Sequence, residues 1–204
     1  MNRTTNWNTS SAGRLKGGYP QTCEADMSTT AKTTEKDSGR SGRPRRTRRT
    51  GQRDPLAVKL LKQDHREVET MFDEYEQLDA DADKLALFKK IALALKVHTK
   101  IEEEIFYAEE RGDVEDDLLD EAHVEHEGAT HMIVELEGMK PSEQYYDAMV
   151  KVLGENVRHH IREEEQPGGI FAQAKRGGED LEAMGERLKA RKAQLLAQFG
   201  AKPH

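Results

Sequence analysis

Residues 91–106 read IALALKVHTKIEEEIF and carry the pattern that decides the fold. The apolar side chains of Ile91, Leu95 and Ile105 recur with the spacing of one helix face. His98 follows Leu95 by three positions, and Glu102 follows His98 by four, so both polar residues share that face. The segment predicts a helix that buries a histidine and a glutamate among apolar side chains.

Residues 153–165, LGENVRHHIREEE, repeat this pattern. His160 follows Val157 by three positions, and Glu164 follows His160 by four. The interval from His98 to His160 is 62 residues. The chain therefore contains two helices that each direct a His-x-x-x-Glu pair toward the core.

Each of these helices is preceded by a helix with one inward histidine. His65 lies four residues after Leu61, and His126 lies seven residues after Leu119, so both histidines lie on apolar faces. His126 follows His65 by 61 residues, nearly the interval between the paired helices. We interpret the sequence as two helix–helix repeats, each with one lone histidine and one His-x-x-x-Glu pair.

The apolar periodicity predicts an all-α protein. Asp54-Pro55 is typical of a helix start, and Ser142 is a candidate cap for the fourth helix. Because the connections are short, we expect an antiparallel up-down four-helix bundle with an extra C-terminal helix. The predicted helices span residues 55–78, 84–110, 114–138, 142 to about 167, and 179–198.

Charge divides the chain into two parts. Residues 1–53 carry 12 Lys+Arg and 4 Asp+Glu, whereas the other 151 residues carry 20 and 35, and the resulting +8 and −15 sum to the formal −7. We predict a disordered basic tail over 1–53, a four-helix bundle over 54–176 and an amphipathic helix over 177–204. The bundle, at −15, is expected to repel nucleic acid.

The basic tail has two interpretations. Its densest stretch, Arg40 to Arg53, is suited to weak contact with nucleic acid or acidic lipid. The simpler interpretation is a solvated tail, and translation from Met27 would remove part of it. Cys23 is the only cysteine, so intrachain disulfides and thiolate metal sites in 54–204 are excluded. With no long apolar run or secretory leader in the sequence, we expect a cytoplasmic location and no membrane association.

The inward histidines and glutamates predict a metal site. A buried polar group without a partner costs roughly 1–3 kcal/mol, and several in one core would rival the roughly 5–15 kcal/mol stability of a domain. A shared cation removes this cost, since imidazole and carboxylate both donate lone pairs to it. Two glutamates and a twofold repeat favour a dinuclear site, and the absence of thiolate suits iron, manganese or zinc. The candidate ligands are His65, His98, Glu102, His126, His160 and Glu164.

The remaining histidines and several other polar residues are predicted to lie beside the site or at the surface. His123, three positions before His126, is an additional candidate ligand, and Asn156 is a candidate hydrogen-bond partner of His160. We expect His131, His159 and His204 at the surface. Glu103, Glu104, Glu163 and Glu165 are interpreted as solvated residues or as partners of the ligands.

At these residues the sequence resembles the hemerythrin-like (HHE cation-binding) family. The likeness covers roughly residues 55–175 and rests on Asp64-His65, Glu125-His126 and the two segments beginning at His98 and His159. It implies a four-helix bundle with a non-haem, oxo-bridged di-iron centre held by the six candidate ligands. Family members bind dioxygen, sense oxygen or iron, handle nitric oxide or peroxide, or store iron.

Two departures from the family pattern bear on function. Oxygen carriers place two histidines four residues apart on the third helix, whereas Ala122 and Thr130 flank His126 at that spacing. Gln166-Pro167-Gly168-Gly169 also interrupts the fourth helix, so we expect Glu164 in a looser last turn. We therefore expect a di-iron protein that binds dioxygen or a related small oxidant. The alternative is a di-iron enzyme that decomposes hydrogen peroxide or reduces nitric oxide.

Overall fold

The computed structural model describes residues 53–200, so most of the predicted disordered tail lies outside the described residues. Within 53–200 the regular elements are helical and no strand is present, which confirms the all-α prediction. A π-helical turn, Glu102–Phe106, joins α2 to α3. The helices are α1 (Leu56–Tyr75), α2 (Asp81–Ile101), α3 (Tyr107–Glu110), α4 (Asp116–Glu137), α5 (Tyr146–Glu165), α6 (Ile170–Ala174) and α7 (Leu181–Gly200). None of these helices is long and apolar enough to cross a membrane.

Four long helices form the predicted bundle. Around the bundle, α1 contacts α2, α2 contacts α4, α4 contacts α5, and α5 contacts α1. The extra helix, α7, packs outside this ring along α1 and α2. Gly185 allows the close approach, because a Cβ atom there would lie 2.5 Å from Leu56 Cγ and 2.7 Å from the Ala57 nitrogen.

The core consists of two apolar clusters with a polar layer between them. In α1, the buried positions Leu61, His65, Val68 and Phe72 follow helical spacing, and only His65 is polar among them. Leu61 belongs to one apolar cluster, whereas Val68 and Phe72 belong to the other. The candidate ligands therefore lie in the middle of the bundle, where apolar contact is interrupted.

The helix starts differ from the predicted ones. Asp54 does not cap α1; its carboxylate lies 2.9 Å from Lys62 Nζ and 2.8 Å from Lys175 Nζ, and Pro55 occupies the cap position. Two nearby ammonium groups thus outcompete the backbone for this carboxylate. Ser142 does not cap α5 either, because turns occupy residues 141–145 and the helix begins after Tyr145, whose φ of 74° is left-handed.

The interruption after α5 is a tight turn and does not loosen Glu164. Glu164 is buried in the last turn of α5, which corrects our expectation. Gly168 adopts a φ of +95°, and a Cβ atom on Gly169 would lie 2.1 Å from the carbonyl oxygen of Glu163. The two glycines fold the chain back across the helix end and lead into α6, a five-residue helix that the sequence did not predict.

Candidate metal centre

The four inward histidines meet in the polar layer. His65 Nε2 lies 3.1 Å from His98 Nε2, and His126 Nε2 lies 3.1 Å from His160 Nε2. All four side chains are buried. One pair joins α1 to α2 and the other joins α4 to α5, so the histidines pair within each sequence repeat.

The two inward glutamates connect these pairs. Glu102 Oε2 lies 3.0 Å from His98 Nε2 and 3.4 Å from His126 Nε2. Glu164 Oε2 lies 3.2 Å from His65 Nε2 and 3.6 Å from His160 Nε2. Each carboxylate therefore touches the histidine of its own helix and the lone histidine of the other repeat.

Within the described residues, the donor atoms form two overlapping sets with metal-binding proximity. Each set has its donor atoms within 4.8 Å of one another, and Glu102 belongs to both sets. The first consists of His65, His98, Glu102 and Glu164; the second consists of Glu102, His126 and His160.

The outward nitrogen of each histidine faces a carboxylate. His65 Nδ1 lies 2.8 Å from Glu165, and His160 Nδ1 lies 2.8 Å from Glu125. His126 Nδ1 lies 3.3 Å from Glu103, and His98 Nδ1 lies 3.7 Å from Asp64. Such outer carboxylates fix the orientation of a metal-ligating imidazole and raise its basicity.

This outer ring has a consequence for the inner nitrogens. An ionised carboxylate only accepts hydrogen bonds, so the Nδ1 atoms beside Glu165 and Glu125 carry protons. With Nδ1 protonated, each Nε2 atom has a lone pair directed toward the other Nε2 and the glutamates unless a second proton occupies it. Glu102 Oε1 and Glu164 Oε2 also lack hydrogen-bond partners among the described residues. The arrangement needs protons or cations at its centre, and its nitrogen and oxygen donors fit a transition-metal cation.

Electrostatic interactions within the cluster favour protons on its histidines. Burial would lower the pKa of His98, but Glu102 and Asp64 outweigh it and raise that pKa to about 10. Burial is likewise outweighed at His126, where Glu102 and Glu103 raise the pKa to about 9. Burial would raise the pKa of Glu102, yet His98 and His126 hold it well below its usual range. A cation that binds here must displace these protons.

Tyr107 completes the site and was missed by the sequence analysis. Its hydroxyl lies 2.7 Å from Glu164 Oε1 and 3.4 Å from Glu102 Oε2. Burial, with the charges of Glu102 and Glu164, raises the pKa of Tyr107 well above its usual range, so the phenol donates its proton. It is thus a neutral donor between the two inward carboxylates.

The π-helical turn explains why spacing did not reveal Tyr107. In a regular α-helix, a residue five positions after Glu102 lies about 140° away around the axis. Here the backbone N–H of Tyr107 bonds to the carbonyl of Glu102, five residues earlier, and the extra residue brings Tyr107 over the same face. Tyr107 also stacks on His126 with a ring-centroid distance of 5.6 Å, as Phe171 of α6 stacks on His65 at 5.7 Å.

The structure does not bring His123 or Asn156 into the cluster. His123 is about half exposed, and its Nδ1 lies 3.0 Å from Glu103, so it contacts an outer carboxylate and not the centre. His123 lies one position after the buried Ala122, so its side chain points away from the buried face of α4. The Asn156 amide donates to Met132 Sδ instead of to His160. His131 and His159 are at the surface as expected, and His204 lies outside the described residues.

A cavity of about 250 Å³ lies against the four histidines. Its walls include Val68, Leu95, Ala129, Val157 and Ile161, all on the side opposite Tyr107 and Phe171. It extends between α4 and α5 to the exposed residues Gly128, Asn156 and His159. Small molecules therefore have a largely apolar route from the surface to the centre.

Three comparisons bear on this arrangement. The hemerythrin HHE cation-binding domain matches residues 56–167 of the chain. A solved hemerythrin HHE cation-binding domain-containing protein from Mycobacterium kansasii is similar in fold, with a TM-score of 0.61 and 22% identity over 72% of this chain and 94% of that one. A DNA nickase from Nostoc sp. (strain PCC 7120 / SAG 25.82 / UTEX 2576) is 24% identical over 143 residues, which are 69% of this chain but only 40% of the nickase.

Proposed function

Because the chain belongs to the hemerythrin HHE cation-binding domain family, we propose that its buried cluster holds two iron ions and binds dioxygen or a related small oxidant. The proposed ligands are the six converging residues, and Glu102 and Glu164 each contact one histidine from each repeat. The ligand set is His65, His98, Glu102, His126, His160 and Glu164. Its nitrogen and carboxylate donors, without thiolate, suit iron among the available metals.

One observation carries the proposal. Two pairs of Nε2 atoms face each other at 3.1 Å while outer carboxylates hold Nδ1. Four imidazole lone pairs and two buried carboxylates around one point are repulsive unless a positive species lies between them. Two cations would relieve this repulsion, in keeping with the two donor sets that overlap at Glu102.

The cavity supports the choice of a small oxidant. Apolar walls admit an uncharged diatomic molecule or peroxide and lead to all four histidines. When bound, the ferrous pair would supply the electrons that reduce such a ligand. The chain itself orients the imidazoles through the outer carboxylates, and Tyr107 holds a proton at its hydroxyl oxygen beside Glu164.

An optical spectrum tests the proposal. The full-length protein is loaded with ferrous iron without air, and iron per chain is measured by atomic absorption. We expect two equivalents of iron and near-ultraviolet charge-transfer bands when air is admitted. Protein that binds no iron, or that shows no new bands with two irons present, would refute the proposal.

Decomposition of peroxide at the same site is the second candidate. The observation that favours it is the Tyr107 hydroxyl, a proton donor 2.7 Å from Glu164 and buried beside the centre. A positioned side chain that holds a proton beside the reacting groups assists proton transfer during turnover. Oxygen release from added hydrogen peroxide, measured with an electrode, should exceed that of the same concentration of free iron; an equal rate excludes this activity.

Nucleic-acid contact is proposed only as a weak property of the basic stretch 40–53, which lies almost wholly outside the described residues. The likeness to part of a DNA nickase adds no site to residues 53–200. Retention on DNA should fall as salt rises and should be lost in a chain that begins at Asp54. Equal retention by both chains would contradict this assignment.

A further inference from the structure

A second group of metal-binding side chains lies at the mouth of the cavity. His159 and Glu163 are four residues apart on α5, with His159 Nε2 3.2 Å from Glu163 Oε1. Glu125 of α4 completes the group, with its Oε1 3.8 Å from His159 Nε2. Donor atoms from the three residues lie within 4.8 Å of one another. One imidazole nitrogen and two carboxylates converge here without any residue of the buried cluster.

Glu125 links this group directly to the centre. Its Oε2 lies 2.8 Å from His160 Nδ1, while its Oε1 faces His159. Both Glu125 and His159 line the cavity that ends on the four inward histidines. An ion held at the mouth would therefore be separated from the proposed ligand His160 by the single carboxylate of Glu125.

In the first repeat a lysine neutralises the corresponding carboxylate, whereas this group has no such lysine among the described residues. Asp64 is the counterpart of Glu125, since each directly precedes the lone histidine of its repeat and faces the paired one. Asp64 is neutralised by Lys192 of α7, whose Nζ lies 2.5 Å away. Among the described residues, neither Glu125 nor Glu163 has a lysine or arginine within 4.0 Å. The second repeat thus has two carboxylates where the first has an internal ion pair.

We propose that His159, Glu163 and Glu125 form a third cation site, which takes a divalent first-row transition metal at the place that Lys192 fills in the other repeat. The site is partly exposed, so it binds more weakly than the buried cluster and passes its ion to that cluster past the carboxylate of Glu125, which contacts both His159 and His160. This role in loading rests on the proposed di-iron function, whereas binding at the mouth does not. Nitrogen and carboxylate donors suit Fe²⁺, Mn²⁺ and Zn²⁺ alike.

Zinc binding to the metal-free full-length protein tests the site. Calorimetry and metal analysis at equilibrium should give three equivalents of Zn²⁺ for the wild type, two tight and one weaker. The double variant His159→Ala/Glu163→Gln should bind two. The matched control is His131→Ala/Glu135→Gln, an exposed His-x-x-x-Glu pair on α4 that lies outside the metal-binding groups, and it should bind three.

The outcomes separate the two proposals. If the wild type binds one equivalent and the His159→Ala/Glu163→Gln variant binds none, the mouth site stands and the dinuclear centre fails. If both proteins bind two equivalents, or both bind three, the mouth site is refuted. Anomalous diffraction from zinc-soaked crystals should place the weaker ion about 2.0–2.1 Å from His159 Nε2; a third ion located elsewhere also refutes the site.

Loading kinetics test the entry role. Uptake of Fe²⁺ by the metal-free protein, followed by stopped-flow absorbance in air, should slow several-fold in His159→Ala/Glu163→Gln, with the final iron content of the buried cluster unchanged. The control pair on α4 should load at the wild-type rate. An unchanged rate in the mouth variant, with its weaker zinc equivalent lost, would leave a third site that has no part in entry and would overturn that half of the proposal.

Discussion

Tyr107 donates a hydrogen bond to Glu164 across the bundle, with 2.7 Å between the phenol oxygen and Oε1. Tyr107 directly follows the π-helical turn of the first repeat, and Glu164 lies in the last turn of α5 in the second repeat. Phe171, which stacks on His65 as Tyr107 stacks on His126, has no hydroxyl to offer. The nearly twofold centre is therefore chemically asymmetric, with a proton donor on one side only.

Substitution Tyr107→Phe tests the importance of that hydroxyl. Glu164 Oε1 would lose its hydrogen bond in a buried site, so the metal-free protein should lose roughly 1–3 kcal/mol of stability in urea unfolding. Unchanged stability would show that the contact has no role.

Substitution Glu102→Gln should reduce the metal content. Glu102 belongs to both donor sets, and an amide is a far weaker metal donor than a carboxylate, so we expect one equivalent of iron or less per chain. The control is Glu104→Gln, since Glu104 lies two residues away and pairs with Arg191 at the surface. Metal analysis after gel filtration makes the comparison, and equal iron in the two variants would contradict the assigned ligand role.

Two glycine substitutions test the docking of α7. Gly185→Ala would place a methyl group 2.5 Å from Leu56 Cγ, and the resulting overpacking should cost roughly 1–3 kcal/mol. Gly128→Ala is the matched control, because nothing lies within 4 Å of its added Cβ atom in the middle of α4. It should stabilise the helix by roughly 0.5–1 kcal/mol. Urea unfolding of both variants should give shifts of opposite sign; a neutral Gly185→Ala would refute the close approach.

The buried carboxyl group of Glu110 should make the stability of the fold depend on pH. The residue is buried, and neither carboxylate oxygen has a hydrogen-bond partner among the described residues. Burial, helped by the charges of Asp113 and Glu179, raises its pKa from 4.5 to about 7. Because the folded-state pKa lies above the unfolded value, Glu110 favours the folded state at acidic pH, and this contribution is lost as pH rises toward 7.

The variant Glu110→Gln should remove this dependence. Relative to wild type, it should gain roughly 1–3 kcal/mol of stability between pH 4.5 and pH 8. The exposed Glu121→Gln on α4 serves as the control and should follow the wild-type curve. Denaturant unfolding across this pH range makes the measurement, and parallel curves for all three proteins would contradict the raised pKa.

Helical spacing predicted much of the fold and the convergence of six polar residues, because His98, Glu102 and their counterparts share faces with apolar neighbours. Spacing could not predict Tyr107, since a π-helical turn changes which residues share a face. It also could not place Asp54, whose carboxylate is drawn to Lys62 and to Lys175, a residue 121 positions later. The partners of such residues depend on contacts between segments that are distant in sequence, and a local sequence pattern does not reveal those contacts.

The polar layer between the two apolar clusters makes the middle of the bundle its weakest point when it holds no ion. An ion that binds only the folded chain would add about 2.7 kcal/mol at a free concentration one hundred times its dissociation constant. The folded fraction would then rise and fall with the supply of that ion. In a cell that starves for the metal, the larger unfolded fraction would be open to proteolysis, so the abundance of this chain would fall with metal availability.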